Sequence, residues 1–293
     1  MNDTRIIATG LLFPEAPRWH AGKLWFSDIH DRRVKTCTLG GELATVVEMP
    51  APNRCSGLGF LPDGALLIVA SPHKIMRFDA RGLTMVADVS QLVAHGCNDM
   101  VVDANGNAYI GNLGYDFRAA TPVPATAPLL LVKPDGTASI AAQGLGFPNG
   151  SVITPDGKTL IVGETFASRY TAFDIAPDGT LSNRRIWVQF DTLGFTLDQQ
   201  DGRVLPDGCC LDAEGAIWLA SPGIDQVLRV RPDGRITHRI KPSQAPYACM
   251  LGGPDRQTLF VLTAKTHHLP EVITARSGRV EIASVGVPGA GIP

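Results

Sequence analysis

Six times along the chain, a tight turn rich in Gly and Asp leads into a short apolar run, which is the pattern of a β-hairpin. The returning segments are HAGKLWFSD from His20, PDGALLIVA from Pro62, DANGNAYIG from Asp103, PDGKTLIVG from Pro155, DAEGAIWLA from Asp212 and PDRQTLFVL from Pro254. They recur every 40 to 57 residues or so, which is roughly the spacing of propeller blades and related repeat units. This repeat constrains the chain to an array of similar β units.

A second hairpin follows each of the first ones, as in LLLVKPDGTASIAA and VLRVRPDGRITHRI, and in the last unit it is ITARSGRVEIASV. Two hairpins make four antiparallel strands per unit, so six units predict an all-β, six-bladed β-propeller. We expect residues 1–293 to form this single domain, with TRIIATG from Thr4 as the outer strand of the last blade. No window of the sequence has sustained helical periodicity.

The composition limits the partners of the chain. A net charge of −2 and the lack of a basic block argue against a nucleic acid or an anionic membrane as a partner. No apolar run approaches the length of about 18 residues that a membrane-spanning helix needs, and the N-terminus lacks the apolar core of a secretion signal. The six cysteines have no CxxC spacing, so we expect reduced thiols in a cytoplasmic protein.

One position of the repeat carries most of the polar residues that could support chemistry. Counted back from the turn position, the aligned residues lie eight residues earlier, or seven for the first, and are Glu15, Ser56, Asn98, Asn149, Asp207 and Ala248. The first strand of each propeller blade lines the central channel, so these residues should form a ring at one mouth. Two carboxylates and two amides facing a narrow space are costly unless a cation satisfies them.

The oxygen-rich ring predicts a divalent cation site. Its candidate ligands are carboxylate and amide oxygens, which suit Ca²⁺, Mg²⁺ or Mn²⁺ better than a structural Zn²⁺. The second strand of each blade returns to the same mouth. Glu164 and Asp28, at the ends of two such strands, are therefore candidates to contact the metal ligands and orient them. Taken singly, each Asn or Asp fits an ordinary turn residue, and it is their shared repeat position that favours the cation.

Several segments resemble the blade motifs of one known family. The segments EAPRW, CNDMVVDANGNAYIGN, GFPNGSVITPDGKTLIVGET, PDGCCLDAEGAIWLAS and ACMLGGPDRQTLFVLTA resemble those of the regucalcin and gluconolactonase family, also called the senescence marker protein or luciferin-regenerating enzyme type. The resemblance covers nearly the whole chain. It implies a six-bladed propeller with one divalent cation in the channel and hydrolysis of lactones, often sugar lactones, or in some members of organophosphates.

The resemblance also implies roles for the ring residues. Glu15, Asn149 and Asp207 match the family's metal ligands, and Asp207 also matches its proposed base. Asn98 matches the asparagine that contacts the substrate or a metal-bound water. The chain thus carries all four of these family residues.

Two positions depart from the family pattern. Ala16 stands where a glycine usually follows the first ligand, which is a mild change. Gly96 stands where an arginine often binds sugar hydroxyls. The loss of that arginine suggests a substrate that is less polar or bulkier than a sugar lactone.

We therefore expect a divalent-metal-dependent hydrolase that opens a lactone ring through a metal-activated water, with Asp207 as the base. Ca²⁺ is the preferred ion, and Mg²⁺, Mn²⁺ or Zn²⁺ are alternatives. The expected partner is a small-molecule lactone or ester, and the expected state is a monomer or a small homo-oligomer. The alternative functions are a non-catalytic calcium-binding propeller and an esterase or hydratase that uses the same metal site.

The long loop NLGYDFRAATPVPATAP, which follows the third inner hairpin, is a candidate lid or binding loop. Its candidate substrate contacts are Tyr115, Asp116, Phe117 and Arg118. His267 and His268 follow the last inner strand, where they could overhang the channel mouth or lie in a surface loop.

Overall fold

The computed structural model describes residues 3–116, 119, 121–190 and 202–292, and their strands form six four-stranded antiparallel sheets. The strand β1 (Arg5–Leu11) precedes the first blade, which contains β2 (Pro14–His20), β3 (Lys23–Asp28), β4 (Arg33–Cys37) and β5 (Leu43–Glu48). The second blade contains β6 (Arg54–Phe60), β7 (Leu66–Ser71), β8 (Lys74–Asp79) and β9 (Gly82–Asp88). The third contains β10 (Cys97–Val102), β11 (Ala108–Asn112), β12 (Ala127–Val132) and β13 (Ala138–Leu145). The next two blades contain β14 (Pro148–Ile153), β15 (Thr159–Glu164), β16 (Arg169–Ile175) and β17 (Leu181–Gln189); and β18 (Cys209–Leu211), β19 (Ile217–Ser221), β20 (Gln226–Val230) and β21 (Ile236–Ile240).

The sixth blade closes the ring with both ends of the chain. It contains β22 (Pro246–Gly252), β23 (Thr258–Thr263), β24 (Gly278–Ser284) and, as its outer strand, β1. Arg5 of β1 pairs antiparallel with Ile282 of β24. The innermost strands β2, β6, β10, β14, β18 and β22 contact one another in turn around the channel. The predicted six-bladed propeller, including the place of the N-terminal strand, is confirmed.

The sequence prediction is wrong in one part of the last blade. The residues ITA, expected to begin its second hairpin, lie in a helix, α1 (Leu269–Ala275). Pro270 in the first turn of the helix and Arg276 in the left-handed conformation at its end are the local signals that favour it. The third strand of this blade is therefore β24. Among the described residues, no helix has the length and apolar character needed to cross a membrane.

The inner hairpins depend on residues with positive φ at their turns. Gly64 in the second blade has a φ of 85°, a conformation that glycine adopts without steric cost. In the first blade only Ala21 and Gly22 connect the strands, and both have positive φ (49° and 75°), as a two-residue type I′ turn requires. This shorter turn explains why Glu15 lies one residue closer to its turn glycine than the other ring residues.

Glycines next to the ring position let neighbouring blades approach closely. A Cβ atom on Gly57 would lie 2.7 Å from the carbonyl oxygen of Asn98, and one on Gly150 would lie 2.3 Å from that of Asp207. Both distances are far below van der Waals contact. The small residues therefore permit a narrow channel in which the ring side chains share one space.

The last described residues cross the channel end that lies opposite the ring position. The amide of Ala290 donates to the carbonyl oxygen of Leu211 at 2.9 Å, and Ile292 forms an antiparallel bridge with Ile153. Leu211 and Ile153 are the last residues of β18 and β14. The C-terminal segment thus ties the inner strands of two blades to the sixth.

Candidate functional site

The ring position lies at a cavity of about 440 Å³ at one end of the channel. The ring residues that line the cavity are Glu15, Ser56, Asn98, Asn149 and Asp207. Ala248, the sixth ring residue, is fully buried and does not reach it. The structure therefore brings the four predicted polar residues around one volume.

Irregular pairing near the ring position helps to aim these side chains. The register between β2 and β3 shifts between Glu15 and Arg18, and the register between β14 and β15 shifts between Pro148 and Ser151. Such bulges bend a strand and redirect the side chain at that point. The same irregularity recurs at the start of β6 and β10, which accounts for the convergence of residues from different blades.

The amide group of Asn149 has a fixed orientation. Its nitrogen donates to Thr165 Oγ1 at 3.1 Å and also to the carboxylate of Asp207. The Thr165 hydroxyl in turn donates to the carbonyl oxygen of Pro206 at 2.7 Å. With the nitrogen held by Thr165, the amide oxygen of Asn149 is available as an acceptor for a ligand.

The two ring carboxylates resist being charged at the same time. Burial, and then the negative charges of Asp207 and Asp99, hold the pKa of Glu15 well above its usual range. Burial and the charge of Asp99 raise the pKa of Asp207 to about 8, although hydrogen bonds from Asn149 and the Gly208 amide oppose the shift. A positive charge between these carboxylates would relieve both penalties.

Arg18 and Asp99 form a buried ion pair in the channel that the sequence reasoning missed. The Arg18 Nη2 atom lies 2.9 Å from Asp99 Oδ1 and also donates to the carbonyl oxygen of Met100. Asp99 accepts a further hydrogen bond from the Met100 amide at 2.8 Å. A charged residue within an inner strand indicates a buried partner, but the local sequence does not identify which residue that partner is.

The donor set fits a hard divalent cation. Glu15, Asp99 and Asp207 carry three negative charges when ionised, and Arg18 balances only one of them. The carboxylate and amide oxygens around the cavity are the ligand types that Ca²⁺ and Mg²⁺ take. The described residues contain no cluster of three or more His, Cys, Asp and Glu side chains placed to hold a metal, so a cation here would also need the amide oxygen of Asn149.

Asp28 and Glu164 support the loops that lead into the inner strands. The Asp28 carboxylate accepts a hydrogen bond from the Phe13 amide at 2.8 Å and pairs with Lys35 at 2.7 Å. The Glu164 carboxylate accepts one from the Gly146 amide at 2.6 Å. Both carboxylates are fully buried, and neither residue lines the cavity. They position the backbone just before Glu15 and Asn149 rather than contacting those side chains.

Of the candidate loop, Leu113 lines the cavity, whereas Tyr115 and Asp116 lie beside it. Tyr115 is buried, and its ring centre lies 5.9 Å from that of Phe166, which does line the cavity. Asp116 is exposed and does not line the cavity. Phe117 and Arg118 lie outside the described residues. Tyr115 is thus placed to support the cavity wall.

Aromatic side chains form much of the cavity wall at the channel mouth. Phe147 has a φ of 65°, a strained conformation for a bulky residue, and its ring lies 4.5 Å from that of Phe166. His267 and His268 also line the cavity, with ring centres 4.3 Å apart. Both histidines are therefore at the channel mouth, one of the two placements expected from the sequence.

The two departures from the family pattern have different structural settings. Ala16 has a φ of 50°, in the left-handed region, and its amide donates to Glu15 Oε2 at 3.0 Å. Gly96 lies beside Ser71 and Leu113, which both line the cavity. The first change places strain next to a ring carboxylate, and the second leaves space at the cavity wall.

The fold and the ring define a class of protein: six-bladed propellers with an oxygen-lined pocket at one mouth of the channel. The sequence pattern of the SMP-30/Gluconolactonase/LRE-like region matches residues 13–265. The chain belongs to this family, as the sequence motifs indicated.

Three relatives illustrate the similarity. The chain is 27% identical to regucalcin of Xenopus laevis over 256 residues, which cover 85% of this chain and 82% of the relative. It is 28% identical to pentonolactonase XacC of Haloferax volcanii over 275 residues, which cover 90% and 86%. The crystal structure of regucalcin from Agrobacterium tumefaciens, described as a calcium-binding protein, matches with a TM-score of 0.80 at 23% identity over 100% of this chain and 97% of that one. At that identity the structural match supports the fold.

Proposed function

We propose that this protein hydrolyses lactones at the ring of Glu15, Asn98, Asn149 and Asp207, with a divalent cation as cofactor and Ca²⁺ as the preferred ion. The observation that carries the proposal is the pair of mutually repelling carboxylates, Asp207 buried and Glu15 partly buried, at the base of a cavity large enough for a small ring compound. The similarity to a protein named pentonolactonase supports it. The carboxylates of Glu15 and Asp207 and the amide oxygen of Asn149 would hold the cation.

The cation, when bound, supplies charge that polarises the lactone carbonyl group and makes a water molecule more acidic. Asp207 accepts the proton of the water that attacks the carbonyl carbon. The Gly208 amide, which lies 3.0 Å from Asp207 Oδ1, and the Asn149 amide hold the carboxylate in place for this transfer. The bond between the acyl carbon and the ring oxygen then breaks, and the proton passes to that oxygen, giving the hydroxy acid.

Asn98 orients the substrate in this proposal. It lines the cavity, and its side chain makes no hydrogen bond to the residues that the structure describes. Its amide can therefore bind a carbonyl or hydroxyl oxygen of the ring compound. Phe147 and Phe166 cover one side of the cavity, where they would exclude water and pack against the apolar part of the substrate.

The test is hydrolysis of a lactone panel by metal-stripped protein, with Ca²⁺, Mg²⁺, Mn²⁺ or Zn²⁺ added back. The panel contains sugar lactones, aliphatic γ- and δ-lactones and an aryl ester. Asp207→Asn should lower kcat by about 10²- to 10⁴-fold, the usual contribution of a general base. The matched control is Asp156→Asn, because Asp156 lies on an exposed turn, and it should keep the activity of the unmodified protein.

Each result selects one function. Cation-dependent lactone hydrolysis that Asp207→Asn abolishes supports the proposal. Turnover of the aryl ester alone would indicate an esterase. Binding of Ca²⁺ without turnover of any compound would indicate the calcium-binding propeller, and activity that survives both metal removal and Asp207→Asn would refute the proposed site.

A further inference from the structure

Charges in the cavity are separated by sign. Among the described residues that line it, the carboxylates are Glu15 and Asp207, at the ring. The two lining residues that carry a permanent positive charge are Arg54 and Lys265. A substrate whose lactone group lies at the ring would therefore extend from an acidic base toward basic side chains.

Arg54 lies on the cavity side of the ring. It is the first residue of β6, two residues before the ring residue Ser56. Both Arg54 and Ser56 line the cavity, and two residues of extended strand span about 7 Å. Arg54 is thus two residues of β6 nearer to the mouth of the cavity than the ring is. A substituent on a substrate whose lactone group lies at the ring would reach this depth.

The guanidinium group of Arg54 has no protein counter-ion in the described part of the chain. It forms no ion pair or hydrogen bond there, although the residue is only partly exposed. Arg18 and Arg229, by contrast, are paired with Asp99 at 2.9 Å and Asp212 at 2.7 Å. A partly buried arginine that faces a cavity without a carboxylate partner is suited to bind an anion from solution.

Gly96 leaves room for the Arg54 side chain. Arg54 pairs with Ser71 across β6 and β7. A Cβ atom on Gly96 would lie 3.2 Å from Ser71 Oγ and 3.5 Å from Leu113 Cδ1. Any side chain at position 96 would therefore fill the space beside the strand partner of Arg54, and glycine keeps that space open for a ligand.

We propose that Arg54 is a specificity residue that binds a carboxylate substituent of the substrate, so that the preferred substrates are lactones carrying a carboxylate group. This inference rests on the proposed lactone hydrolysis. The planar guanidinium group matches a carboxylate with two parallel hydrogen bonds. A singly charged carboxylate also suits a site close to Glu15 and Asp207 better than a doubly charged phosphate, which the ring carboxylates would repel more strongly.

The experiment compares two γ-butyrolactones that differ only in a ring substituent, which is a carboxylate in one and a carboxamide in the other. Hydrolysis is measured with the cation-loaded protein, with Arg54→Gln, and with Arg239→Gln, a control at an exposed position of β21. Arg54→Gln should lower kcat/KM for the carboxylate by about 10- to 100-fold, the value of a charge-assisted hydrogen bond. It should change kcat/KM for the carboxamide less than threefold, and Arg239→Gln should change neither.

A second measurement separates this inference from the proposed function. Binding of 3-oxocyclopentanecarboxylate, which has the ring shape but no bond to hydrolyse, is followed by calorimetry with the same proteins. If no lactone is hydrolysed, loss of this binding in Arg54→Gln but not in Arg239→Gln still supports the anion site. Equal kcat/KM losses for the two lactones, or unchanged binding of the analogue, would overturn the role of Arg54 even if the lactonase activity stands.

Discussion

Replacing Asp207 with Asn should stabilise the cation-free protein, although it removes the proposed base. Burial and the charge of Asp99 raise the pKa of Asp207 from its usual 3.8 to about 8. Between these values the folded state holds a proton that the unfolded state has released. As far as Asp207 is concerned, the free energy of unfolding is therefore highest below the unfolded pKa. It falls as the pH rises toward the folded pKa.

The size of the effect follows from the pH interval. Each pH unit between the two pKa values lowers the free energy of unfolding by about 1.4 kcal/mol. Between about pH 5 and pH 8, Asp207 alone therefore lowers it by at most about 4 kcal/mol. Asp207→Asn removes the titration and keeps an acceptor for the Gly208 amide, which lies 3.0 Å from Asp207 Oδ1. The free energy of unfolding of the variant should thus be about 2–4 kcal/mol higher than that of the unmodified protein at pH 8, and equal to it near pH 5.

The assay is urea unfolding in the presence of a chelator at pH 5, 6.5 and 8. Asp233→Asn is the matched control, because Asp233 is exposed on a turn, and it should show no pH-dependent difference from the unmodified protein. Adding Ca²⁺ at pH 8 should reverse the order, because the cation stabilises only the protein with both ring carboxylates. If Asp207→Asn is no more stable than the unmodified protein at pH 8, the electrostatic account of the ring is wrong.

Three further predictions follow from other parts of the structure. Ala16→Gly should raise the Tm, because Ala16 in the left-handed conformation stores about 1–2 kcal/mol of strain. The control Ala44→Gly, at an exposed position of β5, should lower the Tm. The opposite order in thermal scans would contradict the assignment of strain to Ala16. Arg18→Met should cost about 3–5 kcal/mol in denaturant unfolding, because it leaves Asp99 buried without its partner. Adding Asp99→Asn should recover much of that loss, and failure to do so would refute the pairing. Removal of residues 286–293 should lower the Tm by several degrees, since these residues tie inner strands together; an unchanged Tm would show that this segment does not stabilise the channel.

The repeat made most of the fold predictable, because every hairpin carries its own local signals. The turn glycines and the apolar runs mark the strands, and their shared spacing marks the blades. The helix α1 was missed because its seven residues are too few to show a helical period. Its start depends on Pro270, whose effect is local and easily taken for a turn.

The candidate site was predictable only where the repeat aligned it. Counting back from the turns placed Glu15, Asn98, Asn149 and Asp207 around one cavity, because equivalent positions of equivalent strands meet at one mouth. The Arg18–Asp99 pair was not predictable in this way, since its two members occupy different repeat positions in different blades. Such a contact depends on how blades pack together, which the local sequence does not encode.

Crystals grown with Mn²⁺ would test the central claim of a cation held by the ring most directly. Anomalous diffraction data should show one peak per chain, bounded by the carboxylates of Glu15 and Asp207 and the amide oxygen of Asn149. Crystals of Asp207→Asn grown in the same way should show no peak there. A peak elsewhere in the protein, or an unoccupied ring at a Mn²⁺ concentration that supports lactone hydrolysis, would contradict the account.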